Sequence, residues 1–276
     1  MRTRSRAALL VPLALLLVLG ACADDPPAED TSTGLDLDDE QQARLAAIVS
    51  VFENSTTEVQ YAYVEDLDDG RGYTAGRAGF TSATADLLDV VERYVQQAPD
   101  AALAAHLPEL RRLAEDESDD TAGLDGFVEA WEAAATDDPA LREAQDEVVE
   151  QTYLGPARSR AEELGISQPV GLAVLCDTVI QHGDGDDPDG LTALIDETTE
   201  REDGTPDDGK DEDAWLLAFL EVRRAHLEDA ADPATREEWA ESVDRVDALE
   251  TLVDEGPSEL DRSFTLEVYG DAIEVP

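Results

Sequence analysis

Positive charge is scarce in this sequence, and Lys210 is its single lysine. The 276 residues hold 19 Lys and Arg against 67 Asp and Glu, which gives a formal net charge of −48. A protein that binds nucleic acid neutralises phosphates with clustered basic side chains. This composition therefore argues against a nucleic-acid partner.

Cysteine is almost as scarce, since the chain contains only Cys22 and Cys176. If Cys22 carries a lipid, as the residues before it suggest, Cys176 has no partner and a disulfide framework is excluded. Stability must then come from a packed core, and a hydrophobic content of 42% supports one. The roughly 240 residues after the N-terminal segment are enough for one large domain or two lobes.

Several catalytic and metal-binding patterns are also missing from the chain. No order of Ser, His and Asp stands out as a hydrolase triad, and neither a zinc-ligand spacing nor a phosphate-binding loop is found. The acidic run Asp184–Asp189 suggests calcium, but the third ligand position of an EF-hand loop falls on Pro188. We therefore expect neither a metal nor a cofactor.

The N-terminus has the pattern of an export signal. Three arginines within residues 2–6 precede an uncharged apolar stretch over residues 7–19, which is too short to span a bilayer as a mature helix. The sequence LGAC at residues 19–22 resembles a bacterial lipobox, where the cysteine is lipidated and becomes the new N-terminus. We predict that residues 1–21 are a lipoprotein signal peptide and that Cys22 anchors the protein to the outer face of the cell membrane. An ordinary secretory signal with a chance cysteine is the alternative.

The rest of the chain is predicted to be mostly helical. Residues 22–38 are acidic and contain proline, as expected of a flexible tether, and residues 39–276 are predicted to form the folded domain. From Leu45 to Phe52, apolar residues recur on one helical stripe. Residues 61–82 are rich in Tyr, Gly and Thr, which predicts one short hairpin or small sheet. Helical periodicity continues near residues 87–95, 103–113, 126–135, 140–152, 157–164, 168–182, 212–229 and 236–253.

One of these helices is predicted to be buried on all sides. Residues 170–180 are apolar nearly all round, except at Asp177. A carboxylate in such a helix needs a partner. The tryptophans Trp131, Trp215 and Trp239 also lie in helical patterns, and we expect them in the core rather than at a ligand site.

Two carboxylates, Glu53 and Asp69, have contrasting surroundings. Glu53 follows the first apolar stripe, whereas Asp69 lies in a glycine-flanked turn that contains Arg71. A carboxyl group next to apolar surface favours its protonated form, and one in a polar turn beside an arginine stays ionised. Such a pair can supply an acid and a base. With 67 carboxylates in the chain, composition alone would still favour a structural interpretation of both.

An ordered series of short motifs runs through residues 39–271. Its members are Glu53-Asn54-Ser55, Tyr61, Tyr63–Asp66, Asp69–Thr74, Gly79-Phe80, Asp86, Trp131, Ala144-Gln145, Tyr153, Pro156-Ala157, Asp177, His182–Pro188, Phe219-Leu220, Arg223 and Tyr269–Asp271. This series resembles the bacterial chitosanases of glycoside hydrolase family 46. The resemblance implies a mainly α (α+β), lysozyme-like fold with two helical lobes around a substrate cleft and a small β-sheet in the N-terminal lobe. It also implies endo-hydrolysis of β-1,4 linkages between glucosamine units of chitosan, with inversion.

The resemblance assigns roles to the two contrasting carboxylates. Glu53 matches the family's general acid and Asp69 its general base, while Thr74 matches a residue that orients the attacking water. Inversion requires the two carboxyl groups to stand about 6.5 to 9.5 Å apart, so that a water fits between them. A helix end followed by a β-turn is compatible with such a gap.

Substrate contacts are expected from Asp86, Arg71 and Tyr63, and the alternative for Arg71 is to join the ion pair of Asp177 and Arg223. By the resemblance, Asp86 holds a glucosamine unit, because a carboxylate forms a charge-assisted hydrogen bond with an ammonium group that an acetamido group cannot replace. The alternative is an acid that stabilises a helix N-terminus, and both roles are compatible. Glycines usual for the family near Asp86 are replaced by Ala83 and Ala85, which we expect to stiffen this loop.

Behind the acid, the resemblance implies a supporting ion pair between Asp177 and Arg223. The family usually adds a further arginine, for which residues 200–213 offer no clear counterpart. His182 is interpreted as a structural residue that closes the lobe interface rather than as a catalyst.

The acidity itself has two explanations, which are solubility in concentrated salt and attraction of a polycationic substrate. Chitosan is the predicted partner, and we expect a monomer. Two other functions stay open, which are an acidic surface lipoprotein that only binds cationic glycans or peptides and a lysozyme-like hydrolase of another amino-sugar polymer. The presence of both Glu53 and Asp69 argues against the first, and Asp86 together with an expected acidic cleft favours chitosan over the second.

Overall fold

The computed structural model describes residues 35–276 except residues 69, 186 and 234. Within that part the chain forms eleven α-helices and two small antiparallel sheets. The helices are α1 (Asp39–Asn54), α2 (Asp86–Gln97), α3 (Leu107–Asp116), α4 (Phe127–Asp137), α5 (Pro139–Val149), α6 (Gly155–Leu164), α7 (Pro169–His182), α8 (Leu191–Glu202), α9 (Glu212–Glu228), α10 (Arg236–Glu241) and α11 (Asp244–Glu255). The strands are β1 (Val64–Asp66), β2 (Tyr73–Ala75), β3 (Phe80–Thr81), β4 (Phe264–Val268) and β5 (Asp271–Val275).

The predicted signal peptide and Cys22 lie outside the described residues, as does most of the predicted tether. Leu35 and Leu37, at the end of that tether segment, are buried in the core. Among the described helices, none is both long enough and apolar enough to cross a membrane.

Two hydrophobic cores divide the described residues into two lobes. The N-terminal lobe consists of α2–α5 and β1–β3, with Phe80, Phe127 and Trp131 buried in its core. The C-terminal lobe consists of α1, α6–α11 and β4–β5, with Trp215 and Phe219 buried in its core. The chain therefore begins in the C-terminal lobe, crosses to the other lobe after α1 and returns through the continuous helical path of α5 and α6. This architecture confirms the predicted mainly helical fold with two lobes and a small sheet in the N-terminal lobe.

Helix α1 sets the position of Glu53. A capping box starts the helix, because the Asp38 side chain accepts hydrogen bonds from the backbone while the Gln41 side chain bonds back to the Asp38 backbone. Ile48 and Phe52 bury the apolar stripe in the C-terminal lobe. The helix ends where Ser55 takes a left-handed conformation with φ 54°. Glu53 thus lies in the last turn, at the point where the chain leaves the lobe.

The predicted hairpin over residues 61–82 is present as a three-stranded antiparallel meander. In it, Thr74 pairs with Glu65 on one side and Thr81 on the other. The buried helix predicted around Asp177 is present as α7.

Three features differ from the sequence prediction. The chain has a second sheet, the hairpin of β4 and β5, which was not predicted. A tight turn at Tyr269 and Gly270 joins the two strands, and the burial of Leu266, Val268 and Val275 holds them against the core. Helix α8 was not predicted, since only a few buried residues mark it among many acidic ones. The helix expected over residues 236–253 is broken into α10 and α11.

Candidate active site

A cleft of about 670 Å³ lies between the two lobes, and both lobes line it. The residues predicted for the site that line the cleft are Glu53, Tyr63, Arg71, Thr74 and Asp86. They come from the end of α1, from the three-stranded sheet and its turns, and from the start of α2. The fold therefore brings together side chains whose motifs are spread over residues 53–86.

Arg245 holds the carboxyl group of Glu53. The Glu53 side chain is 28% exposed, and its Oε1 accepts a hydrogen bond of 2.7 Å from Arg245 Nη2. The same nitrogen donates to the backbone carbonyl of Phe52 at 3.0 Å, and Arg245 Nε donates to the Tyr269 hydroxyl at 3.0 Å. Burial lowers the pKa of Arg245, but the carboxylates of Asp177 and Glu53 raise it, and the net shift is upward. Arg245 is therefore a permanent cation beside Glu53.

Asp177 joins this arginine to a second one. Its Oδ1 lies 3.4 Å from Arg245 Nη1, and its Oδ2 accepts a hydrogen bond of 2.7 Å from Arg223 Nη2. Asp177 and Arg223 are fully buried, and burial lowers the pKa of Arg223 while Asp177 opposes that shift. The structure thus pairs Asp177 with Arg223, as the resemblance implied, and extends the pair through Arg245 to Glu53.

Arg245 is the further arginine that the sequence reasoning missed. It begins the buried stripe of α11, where Ala248, Leu249 and Leu252 follow at helical spacing. An arginine on an otherwise apolar stripe must find a buried anion, which is the signal that could have identified it.

His182 supports Arg223 from behind. Its Nδ1 lies 2.8 Å from the backbone carbonyl oxygen of Asp189, and its Nε2 accepts a hydrogen bond of 3.3 Å from Arg223 Nε. This arrangement requires a neutral ring with its proton on Nδ1. Burial and then the charge of Arg223 lower the pKa of His182 to about 3, which keeps the ring neutral. The contacts of His182 are with Asp189, Arg223 and Trp239, which supports its interpretation as a structural residue.

Residues on either side of Asp69 line the cleft. Asp69 itself lies outside the described residues, but Leu67 and Arg71, on either side of it, both line the cleft. Thr74, on β2, is 8% exposed, and its hydroxyl has no hydrogen-bond partner among the described residues. An unpaired buried hydroxyl is costly unless a ligand or water satisfies it. Thr74 is therefore equipped to bind a water in the cleft.

Asp86 opens α2 and is anchored through one of its two oxygens. Oδ1 accepts hydrogen bonds from the backbone N–H groups of Thr81 and Leu87, both at 3.0 Å, and from the Thr84 hydroxyl at 2.7 Å. No hydrogen bond from the described residues ends on Oδ2. Burial raises the pKa of Asp86. The preceding Ala85 has a positive φ of 39°, a conformation that is strained for a residue with a Cβ atom.

Two aromatic residues in the cleft were not predicted as site residues. Tyr153 lies in a π-helical turn at Glu150–Leu154, a local irregularity that is frequent at functional sites. Burial, with the negative charges of Asp86 and Glu53, raises the pKa of Tyr153 to about 12, so its hydroxyl keeps its proton. Trp239 also lines the cleft and is only partly buried. Trp131 and Trp215 are core residues as expected, whereas Trp239 packs against the edge of the C-terminal core and also lines the cleft.

The described lining of the cleft is not strongly acidic. Its charged side chains are the carboxylates of Glu53 and Asp86 and the guanidinium groups of Arg71 and Arg245. The acidic cleft expected from composition is therefore not found among these residues. Most of the acidic side chains in the described part of the chain lie outside this cleft.

Comparisons with known proteins agree with this geometry. The family model described as glycosyl hydrolase family 46 matches residues 47–264. A chitosanase from Bacillus subtilis (strain 168) is 50% identical over 219 residues, which are 79% of this chain and 79% of that protein. The crystal structure of a native chitosanase from Bacillus subtilis MY002 has a TM-score of 0.79 at 48% identity and covers 87% of this chain and 100% of its own. A mutant chitosanase from the same source, complexed with 6 GlcN, has a TM-score of 0.79 at 47% identity with the same coverage. The match extends over most of the chain and includes the two-lobed fold, so this chain belongs to glycosyl hydrolase family 46.

Proposed function

We propose that this glycoside hydrolase is an endo-acting chitosanase, which cleaves β-1,4 linkages between glucosamine units with inversion at the anomeric carbon. The observation that carries the proposal is the position of Glu53 in the cleft, with its carboxyl group held by Arg245. The relatives support the substrate, because they are chitosanases and one of them is complexed with 6 GlcN.

Glu53 is the general acid in this proposal. It donates its proton to the glycosidic oxygen of the leaving sugar as the bond to the anomeric carbon breaks. The carboxylate that forms is neutralised by Arg245, which is itself held by Asp177. Arg223 supports Asp177 from the other side. We call the linked side chains of Arg245, Asp177 and Arg223 the buried relay. This relay fixes the orientation of the Glu53 carboxyl group and compensates the negative charge that forms on it.

Asp69 is the general base. It takes a proton from a water whose oxygen attacks the anomeric carbon from the face opposite to the leaving group. The hydroxyl of Thr74 orients this water, which is supported by its burial at the cleft without a partner. The products are a new reducing end of inverted configuration and a shortened chain with a free hydroxyl.

Asp86 is the residue proposed to select glucosamine. Its Oδ1 is fully occupied by hydrogen bonds from its own lobe, which leaves Oδ2 to accept one from the ammonium group of the sugar. Tyr63 and Arg71 line the same side of the cleft and are proposed to contact the polymer. The Tyr63 hydroxyl donates to Glu65 at 3.2 Å, which orients its ring.

We also propose an export route and domain boundaries for the chain. Residues 1–21 form a lipoprotein signal peptide, Cys22 carries the lipid outside the cell, residues 22–38 link it to the fold and residues 39–276 act as a monomeric catalytic domain. A Cys22→Ser variant should move from the membrane fraction to the soluble exported fraction. A variant that still sediments with membranes would refute the lipid anchor.

The proposed activity is tested with Glu53→Gln, since the amide cannot donate the proton. The purified protein is incubated with fully deacetylated chitosan and, separately, with chitin, while chain length and the anomer first formed are followed by proton NMR. We expect the α-anomer from chitosan and little cleavage of chitin. Glu53→Gln should lower kcat roughly 10²- to 10⁴-fold, while the exposed Glu58→Gln should retain full activity.

Other outcomes would contradict this proposal in distinct ways. Binding of chitosan without cleavage by the unmodified protein would favour a carbohydrate-binding lipoprotein. Faster cleavage of chitin would point to another amino-sugar polymer. Formation of the β-anomer first would exclude inversion, and full activity of Glu53→Gln would remove this residue from the mechanism.

A further inference from the structure

The three tryptophans of this chain have unequal access to the cleft. Trp131 and Trp215 are 0% and 1% exposed and belong to the two cores. Trp239 is partly exposed and lines the cleft. It is therefore the one tryptophan of the three in the sequence that a cleft ligand can touch.

The indole of Trp239 is held in a defined position. Its backbone N–H donates to the carbonyl of Thr235 at 2.9 Å, and its carbonyl accepts from the backbone N–H of Ser242 at 3.0 Å and the Ser242 hydroxyl at 2.6 Å. The ring packs on that of His182, with centroids 4.7 Å apart and planes inclined by 59°. His182 is 5% exposed and is fixed by the Asp189 carbonyl. A buried, rigid ring thus supports the indole from the protein side.

The polar groups beside Trp239 are already used within the protein. The side-chain amide of Gln181 donates to the Ser242 hydroxyl at 2.6 Å, and its oxygen accepts from Arg223 Nη2 at 2.6 Å. The Thr235 hydroxyl donates to the backbone carbonyl of Asp232. This wall therefore offers a ligand an aromatic surface more than it offers hydrogen bonds.

Such a surface suits the ring of an amino sugar. An aromatic ring is a large apolar surface on which the C–H groups of a pyranose can pack, and its negative face attracts a nearby ammonium group. A glucosamine unit has both features. Trp239 lies on the C-terminal lobe, whereas Asp86 lies on the N-terminal lobe, so the two residues can engage the polymer from opposite walls.

We propose that Trp239 is a sugar-binding platform of the cleft, on which one glucosamine unit of the polymer packs. This inference rests on the proposed function for the identity of the ligand, and it adds a binding position on the wall formed by α10. Because an indole N–H is too weak an acid to protonate a glycosidic oxygen, Trp239 contributes to holding the polymer rather than to the chemical step.

Fluorescence provides a direct test, because one of three tryptophans faces the cleft. A Glu53→Gln variant, which is expected to bind the polymer and cleave it only very slowly, is titrated with glucosamine hexamer. We expect a saturable change in tryptophan emission. The change should be lost in Glu53→Gln with Trp239→Phe and retained in Glu53→Gln with Trp215→Phe, which is the matched control for a buried tryptophan.

Kinetics on the otherwise unmodified enzyme give the second readout. Trp239→Ala should raise KM for chitosan about 2- to 10-fold, which corresponds to loss of one aromatic contact, and should change kcat less than twofold. Trp239→Phe should have a KM close to that of the unmodified enzyme because it keeps an aromatic ring. Thermal denaturation of both variants reports whether the packing on His182 is preserved.

Three results would overturn the proposal. The first is a fluorescence change that persists without Trp239. The second is an unchanged KM in a folded Trp239→Ala variant. The third is a Trp239→Ala variant with lower stability and lower kcat but unchanged KM, together with a Trp239→Phe variant in which stability and kcat are normal. That result would make Trp239 a packing residue for His182. If the unmodified enzyme fails to cleave chitosan, the proposed function fails instead, and hexamer binding still tests the platform separately.

Discussion

The buried relay behind Glu53 makes a quantitative prediction for Asp177→Asn. This change keeps the shape of the side chain but removes the anion between two guanidinium groups, 2.7 Å from Arg223 Nη2 and 3.4 Å from Arg245 Nη1. Arg223 is fully buried and would then face only the neutral groups of Gln181 and His182. Leaving a buried charge without its partner costs about 3–5 kcal/mol. For a domain of this size, that loss lowers Tm by roughly 6–20 °C.

Urea denaturation and calorimetry measure the loss, and chitosan hydrolysis is assayed well below the lowered Tm. Activity should fall along with stability, because Arg245 loses one of the groups that hold it against Glu53. Asp196→Asn, an exposed change on α8, is the control and should shift stability by less than about 0.5 kcal/mol. Combining Asp177→Asn with Arg223→Met should cost less than the sum of the single changes, since the second removes the orphaned charge. A cost of Asp177→Asn below about 1 kcal/mol, or full additivity, would refute a coupled buried relay.

Three further perturbations test other parts of the molecule. His226 lies between Asp189 and Glu197, at 2.8 and 3.0 Å; burial lowers its pKa, but the two carboxylates raise it and the net shift is upward. The contribution of His226 to stability is therefore complete below its unfolded pKa and is lost as pH rises through its folded pKa. The Tm difference between the unmodified protein and His226→Gln should shrink as pH rises. A difference that stays constant with pH would contradict this. Ala85→Gly should raise the free energy of unfolding by about 1 kcal/mol by relieving the positive φ, and a lower urea midpoint would exclude strain at this position. The described cleft lining is balanced in charge. Molar salt should therefore raise Tm, because it screens repulsion between surface carboxylates, and should raise KM only slightly. A steep rise in KM at constant Tm would favour substrate steering.

Local patterns were sufficient to predict much of this protein. Helical stripes such as the one from Leu45 to Phe52 depend on residues three or four apart, and the motifs from Glu53 to Asp86 lie close together in the chain. Periodicity therefore predicts which segments are helical, and motif order predicts the family. The second sheet and α8 were missed because their burial comes from distant elements rather than from a strong local pattern.

What only the tertiary structure decided is how charges and rings from distant segments meet. Arg245 donates to Glu53 across 192 positions of the sequence, and Tyr269 reaches Arg245 from the C-terminal hairpin. Trp239 faces the cleft although its helical pattern is indistinguishable from that of the two core tryptophans. The sequence determined which chemical groups are present and which segments coil into helices. Packing of the lobes decided which buried charges are partners, because a charge removed from water is paired by whichever opposite charge the fold places within hydrogen-bond distance.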